Sequence, residues 1–253
     1  AADAALQLDL AGNRIEAEGR LVTAADGAGD RWTLSVDAPA LARLEPIYRL
    51  LPGGAALAGS LTAQAQVDGR WPAIATQGRL EGQGLVIGNI AVAQARAQWQ
   101  VAGSPQAPLD VQATLSQLVI GAQAAPAGQP AKPSQTIESV RLTVNGSLAD
   151  HTAELRAEAR ALPPAWTELV QPPPGTAPRS KAADAPARTV AQVKLQGGVI
   201  EPPARSTGPW HIAGWRGTLQ QLDLRGSDAG AMPWVSAGDI ALEWVGGAAP
   251  PRP

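Results

Sequence analysis

Residues 91–101, AVAQARAQWQV, alternate between apolar and polar side chains along the whole stretch. Every odd position is apolar, and only Val92 places an apolar side chain on the other side. A period of two predicts a long β-strand with one dry face and one solvated face. The dry face consists mainly of alanine methyl groups, which are small for a sheet that packs against a second layer.

The same alternation recurs from one end of the chain to the other. Turn signals separate the runs, among them Gly88-Asn89, Asn145-Gly146 and Gly197-Gly198. Short turns and the lack of helical crossovers favour antiparallel pairing of about a dozen strands. We therefore predict an all-β fold, an elongated antiparallel sheet with one or two short helices. The further alternating runs are 32–36, 61–67, 109–115, 153–159, 191–195 and 240–244.

Two helical segments and two Pro/Ala-rich stretches interrupt the strands. Residues 40–51 place apolar side chains at helical spacing, but Pro46 predicts a kink or two short turns. Residues 163–170 are a second short candidate, and residues 121–135 are predicted as a loop. We divide the chain into a first groove section over 1–170, a Pro/Ala-rich loop over 171–188 and a continuation of the β groove over 189–253. The alternative is two separate units, and we favour the loop as an insertion in one sheet.

Composition excludes several classes of function. The 253 residues contain 20 Lys and Arg against 22 Asp and Glu, a net charge of −2, which gives no electrostatic case for nucleic acid. The chain has no cysteine and two histidines, so a metal site built from soft ligands is not expected. The sequence also contains no apolar run long enough to cross a bilayer as a helix.

No catalytic set emerges from the motifs. His151 and His211 lie far apart in a β context, and we expect exposed or hydrogen-bonded histidines there. Glu154 and Glu158 share a strand face with Arg156, which indicates a charge-balanced, solvated surface. We therefore expect no enzyme activity, no cofactor and no metal.

Several degenerate motifs, in a fixed order, resemble repeats of the TamB family of AsmA-like bridge proteins. The segment 59–72, GSLTAQAQVDGRWP, and the segment 78–87, GRLEGQGLVI, carry the clearest similarity. Residues 6–21 with 37–44, residues 142–155, and residues 215–224 followed by Trp234 and 240–244 resemble further family segments. The resemblance covers most of the chain outside the two Pro/Ala-rich stretches.

The resemblance implies a U-shaped "β-taco" with an apolar groove. It implies a periplasmic section of a protein anchored in the inner membrane of a Gram-negative bacterium, with a TamA-like outer-membrane partner of the Omp85 type. The implied role is passage of phospholipid and support of outer-membrane biogenesis. The alternative function is a chaperone-like scaffold that assists outer-membrane protein or autotransporter assembly by strand augmentation, and a third is a passive adhesin or stalk.

The dry faces of the central strands supply the candidate lipid-contacting residues. The chain has no Phe and one Tyr, so eight Trp provide nearly all of its aromatic volume. Small inward residues would leave room for an acyl chain. The candidates are Leu61, Ala63, Ala65, Val67, Ala93, Ala95, Ala97, Trp99, Val101, Leu109, Val111, Ala113, Leu115, Leu142, Val144 and Leu155.

Overall fold

The computed structural model contains one long antiparallel β-sheet. It describes residues 2–22, 29–48, 57–70, 73–102, 104–121, 135–160, 188–200, 214–226 and 233–245. The strands are β1 (Ala2–Leu10), β2 (Asn13–Leu21), β3 (Asp30–Ala38), β4 (Leu57–Arg70), β5 (Ala73–Ile87), β6 (Ile90–Val101), β7 (Pro108–Ile120), β8 (Gln135–Ser147), β9 (His151–Ala159), β10 (Thr189–Ile200), β11 (Gly214–Gly226), β12 (Val235–Ala237) and β13 (Ile240–Val245).

The strands pair in chain order from β1 to β12, and β13 pairs with β11. From β1 to β12 each strand hydrogen-bonds to its sequence neighbours, and the described sheet does not close on itself. The predicted all-β, antiparallel fold is confirmed. Strand β10, which follows the Pro/Ala-rich stretch, pairs with β9, so the strands before and after that stretch belong to one sheet.

The last two strands form a single interrupted edge. Leu222 pairs with Ala237 and Leu219 with Ile240, so β12 and β13 lie along β11 in one register. The break between them falls at Gly238-Asp239, where Asp239 has a φ of 57°. Strand β11 also shifts register against β10 between Lys194 and Leu195, so both sides of β11 are irregular at the same level.

A short helical connection follows β3. A 3₁₀ turn, Leu41–Leu44, leads into the single-turn helix α1, Glu45–Tyr48. The described part of this segment thus forms two short pieces rather than one helix, and they meet between Leu44 and Glu45, with Pro46 in the first turn of α1. The Asn13 side chain fixes the start of this connection: its Nδ2 donates to the Leu10 and Ala40 carbonyl oxygens, and its Oδ1 accepts from the Ala40 N–H, each at 3.1 Å. The second helical candidate, 163–170, lies outside the described residues.

Two Gly-containing pairs that were predicted as turns lie inside strands. Asn145-Gly146 belongs to β8, and Gly197-Gly198 belongs to β10. A Cβ at Gly198 would overlap the Ala149 backbone, and one at Gly146 would overlap the Asp150 backbone. These glycines allow close backbone approach rather than chain reversal, so the turn prediction was wrong there. Gly88-Asn89 does form the tight turn between β5 and β6.

A transverse line of irregular backbone, which we call the crease, crosses five strands. Its members are Gly59, Gly84, Ala93, Gln117 and Glu138, on β4 to β8 respectively. The φ angles are 99° at Gly59, 55° at Gly84 and 50° at Gln117. The register shifts between β4 and β5 at one end of the crease and between β8 and β9 at the other. Such bulges bend strands and raise their local twist.

The crease changes the phase of the alternation. The Leu85 side chain lies over Gly82, on the apolar side of the sheet, because the positive φ of Gly84 resets the order of faces. Val92 pairs directly with Leu85 and therefore shares that side. The one residue that broke the alternation of 91–101 thus lies beyond the crease, on the apolar face. The expectation that Val92 points to the polar side was wrong.

Gln117 is the non-glycine residue of the crease with a left-handed backbone. We expect Gln117→Gly to raise the free energy of unfolding by about 1 kcal/mol, because a left-handed φ costs roughly that amount when a Cβ is present. Chemical denaturation measured by far-UV circular dichroism would report the change.

Thr114→Gly is the matched control on the same strand. Thr114 has ordinary strand geometry and an exposed side chain, so we expect this substitution to lower stability by about 1 kcal/mol. Equal losses from both substitutions would contradict the strained backbone at Gln117.

Candidate functional site

Strand register brings the predicted apolar positions onto one side of the sheet, here called the apolar face. Residues directly opposite each other on paired strands point to the same face, so each line of partners forms a row at right angles to the strands. A central row crosses every strand position from β1 to β12 without a polar side chain: Leu8, Ile15, Val36, Ala63, Leu80, Ala97, Ala113, Leu142, Leu155, Val193, Leu222 and Ala237.

A second row runs beside the first with the same character. It consists of Leu6, Ala17, Leu34, Ala65, Gly78, Trp99, Val111, Val144, Ala153, Leu195, Leu219 and Ile240. At about 4.8 Å per strand, each row is roughly 50 Å long. The sequence shows only that each strand has an apolar side, whereas the register aligns these sides into continuous tracks.

The structure places fifteen of the sixteen candidate residues in four adjacent rows of the apolar face. Ala63, Ala97, Ala113, Leu142 and Leu155 lie in the central row. The second row contains Ala65, Trp99, Val111 and Val144, and the two outer rows contain Leu61, Ala95, Leu115, Val67, Val101 and Leu109. Ala93 is the exception, because it lies in the crease.

Tryptophan rings lie flat on the apolar face, over glycines of the neighbouring strand. Trp32 pairs with Gly19, and Trp99 pairs with Gly78. A Cβ at Gly19 or Gly78 would overlap the facing ring. The rings therefore cover backbone on their own sheet, and the large aromatic volume does not require an opposing layer. These tryptophan–glycine pairs were not predicted from the sequence. A glycine at an apolar position of an alternating strand was the signal that could have indicated them.

The ring nitrogens of Trp99 and Trp215 are hydrogen-bonded within the sheet. Trp99 Nε1 donates to the Thr76 hydroxyl at 3.2 Å. Trp215 lies over Gly197 and Gly217 and reaches β9, where its Nε1 donates to His151 Nε2 at 3.0 Å. The bond leaves His151 Nδ1 to donate to the Ser147 carbonyl oxygen at 3.1 Å. His151 thus links β8 to β11 through its two ring nitrogens, and the expectation of a hydrogen-bonded histidine is met. His211 lies outside the described residues.

Large apolar side chains on this face are exposed. Leu6 is 63% and Trp244 is 58% exposed, and Ile15, Leu155 and Ile240 are also exposed. Within the described part of the chain, extensive contacts join each strand to its neighbours, and the 3₁₀ turn contacts β4. Single exposed apolar residues are common on proteins, but continuous apolar surfaces of this extent mark sites of interaction.

The opposite side of the sheet, here called the polar face, carries cross-strand ion pairs. Asp3 faces Arg20, and Glu154 faces Lys194, with N···O distances of 2.7 and 3.1 Å. The hydrogen bond from Arg20 lowers the pKa of Asp3 and raises the pKa of Arg20. Because the folded pKa of Asp3 is lowered, its contribution to stability is present above the unfolded pKa and is lost as the pH falls through the lowered value.

Two open depressions lie on the polar face. The larger, of 770 Å³, extends from β3 to β7 between glutamine side chains such as Gln64, Gln98 and Gln112. The second, of 530 Å³, extends from β6 to β9 and is lined by arginine, serine and threonine side chains. The sequence predicted a functional concavity on the apolar side, and for the side with Glu154, Arg156 and Glu158 it predicted only a charge-balanced, solvated surface.

The described residues contain no cluster of His, Asp or Glu arranged to hold a metal ion. They also contain no helix of sufficient length and hydropathy to span a membrane. No protein-family model, curated protein or solved structure matches the chain.

Substitution of Gly78 tests the flat packing of Trp99. Gly78→Ala should lower the free energy of unfolding by about 1–3 kcal/mol, because the added Cβ overlaps the ring and cannot be accommodated without a shift of the indole. Urea denaturation followed by tryptophan fluorescence would measure the loss. Trp99→Leu provides the matched background: there Gly78→Ala should cost less, and an equal cost would contradict ring-on-glycine packing.

Substitution of His151 tests the bridge to Trp215. His151→Leu leaves the Trp215 N–H and the Ser147 carbonyl without their partners, so we expect a loss of about 1–3 kcal/mol. A double-mutant cycle with Trp215→Phe, measured by thermal unfolding, should give a combined loss smaller than the sum of the single losses. Strict additivity would show that the two side chains do not interact.

Proposed function

We propose that this chain is a periplasmic section of an intermembrane bridge whose apolar face shields the acyl chains of phospholipids. The carrying observation is the pair of apolar rows that crosses the sheet from β1 to the last edge strand. A track at right angles to the strands follows the long axis of the sheet. A lipid chain that moves along this axis meets the same kind of surface at every strand.

The extent of the apolar face supports a ligand of this kind. Twelve strand positions, with about nine residues per strand, give an area on the order of 1,500 Å². The largest apolar patch on an ordinary monomer is about 300–600 Å². Removing one methylene group from water is favourable by about 0.8 kcal/mol of free energy. A continuous apolar surface therefore lowers the free-energy cost of moving an acyl chain through water, and it does so without fixing the chain at one position.

The small side chains of the apolar face suit a mobile ligand better than a fixed one. The central strands contribute small side chains such as Ala63, Ala97 and Ala113, and Trp99 lies flat on Gly78. Deep holes that would lock a side chain of a protein partner are not needed for passage of a flexible chain. Curling of the sheet around this face into an open U-shaped groove is part of the proposal.

The proposed setting follows from the TamB resemblance of the sequence motifs. In that setting the sheet continues a longer bridge, anchored in the inner membrane of a Gram-negative cell, towards a TamA-like outer-membrane protein. Passage of phospholipid would support outer-membrane biogenesis.

Strand augmentation is a second candidate function. Among the described strands, β1 pairs on one side with β2, and the β12–β13 edge pairs on one side with β11. The unpaired side of an edge strand presents backbone donors and acceptors to another strand. An unfolded outer-membrane protein could add a strand there, or the longer protein could continue the sheet.

Photocrosslinking amino acids would test the lipid proposal. We expect probes at Ala65, Ala97 and Val111, on the apolar face, to capture phospholipid in cells. Matched probes at Gln64, Gln98 and Gln112, each adjacent in sequence to one of these positions and on the polar face, should not. Mass spectrometry of the crosslinked products identifies the captured species.

The outcomes separate the two candidate functions. Lipid captured from the apolar face alone supports the shielding function. Capture of unfolded outer-membrane polypeptides by probes at Gln7 in β1, with no lipid at Ala97, would favour strand augmentation. Equal lipid capture on both faces would contradict a lipid track on the apolar side.

A further inference from the structure

We propose that the 530 Å³ depression on the polar face binds a phosphate group. Its lining contains three arginines, Arg96, Arg141 and Arg156, together with the carboxylate of Glu158. The hydroxyl groups of Thr114, Ser116 and Ser139 complete the polar lining. The excess of guanidinium groups over carboxylates makes the depression positive, although the whole chain has a net charge of −2.

Strand register forces these arginines together. Arg96 pairs with Thr114, Thr114 with Arg141, and Arg141 with Arg156, so the three arginines share one row across β6 to β9. Arg141 and Arg156 are directly opposite each other, an arrangement that destabilises a sheet because like charges repel. Arg20 and Arg31, on the same face, are also directly opposite each other, but each forms an ion pair with a carboxylate, Arg20 with Asp3 and Arg31 with Asp68.

Among the described residues, a carboxylate neutralises one of the three guanidinium groups. Arg156 donates from Nε and Nη2 to Glu158 Oε1, at 3.1 and 2.9 Å. The side chains of Arg96 and Arg141 form no hydrogen bond or ion pair within the described part of the chain. Glu81 is the direct strand partner of Arg96, but their side chains are not paired. The guanidinium groups of Arg96 and Arg141, together with the hydroxyl groups that line the same depression, can donate hydrogen bonds to the oxygens of a phosphate ester or of inorganic phosphate.

Calorimetric titration of the whole chain with inorganic phosphate, at constant ionic strength set with chloride, tests the site. We expect Arg141→Gln and Arg96→Gln each to weaken binding about tenfold or more, the usual effect of losing a hydrogen bond to a charged group. Arg79→Gln is the matched control: Arg79 lies on the same face, donates to Gln64 at 2.8 Å and lines the other depression. This control should leave the affinity for phosphate unchanged.

Thermal unfolding in phosphate-free buffer supplies a second readout. Arg141→Gln should unfold at a temperature equal to or above that of the wild type, because it removes the repulsion between Arg141 and Arg156. Added phosphate should raise the Tm of the wild type and of Arg79→Gln but not that of Arg141→Gln. No phosphate binding by the wild type, or equal binding by wild type and both depression variants, would overturn the proposal.

Vesicle sedimentation distinguishes a lipid headgroup from free phosphate. Binding to phosphatidylglycerol vesicles that is lost in Arg141→Gln assigns the site to a lipid headgroup. Phosphate binding without vesicle binding assigns it to a soluble phosphate compound. The titration with inorganic phosphate does not involve the apolar face, so it can succeed or fail independently of acyl-chain shielding.

Discussion

Direct cross-strand pairing with a side-chain period of two is the constraint on which the rest of this structure depends. Once β6 pairs with β5 and β7 in the observed register, the apolar residues Ala95, Ala97 and Trp99 have no polar side chain directly opposite them on either side. A slip of one residue would place Ala97 between Arg79 and Gln112, and Gln98 between Gly78 and Val111. Cross-strand ion pairs and hydrogen bonds between glutamine side chains on the polar face oppose such a slip. The apolar face and the polar face therefore specify the same register.

Among the described residues the strands form a single layer, without the second layer that normally buries an apolar surface. Leaving that surface in water costs free energy. The chain offsets part of that cost locally. Trp32 and Trp99 cover backbone at Gly19 and Gly78, and Trp215 spans β10 to reach His151. Asn13, a polar residue among the apolar rows, is buried because its amide is hydrogen-bonded to the Leu10 and Ala40 backbone. What remains exposed is a smooth hydrocarbon surface, which is the property that the proposed lipid function requires.

The two faces are suited to different chemistries. The apolar face offers continuous contact without hydrogen-bonding groups, and acyl chains match that property. The polar face is mostly self-complementary, and the row of Arg96, Arg141 and Arg156 departs from this rule. A molecule that has both an acyl chain and a phosphate would find complementary groups on opposite sides of the same sheet, so the two sites cannot hold one lipid molecule at the same time through a single layer of backbone.

The sequence by itself determined the antiparallel β-fold, the amphipathic strands and most of the apolar-face residues, because alternation and turn signals are local properties. Strand pairing decided the rest. Val92 joined the apolar face because the crease, with its positive φ at Gly84, changed the phase of the alternation. Gly197-Gly198 became part of a strand because the Trp215 ring lies against Gly197 and the Ala149 backbone lies against Gly198. The juxtaposition of Arg141 and Arg156, which are fifteen residues apart in the chain, also depends on register. Contacts between strands are set by the hydrogen-bond ladder, and no single strand's sequence contains that information.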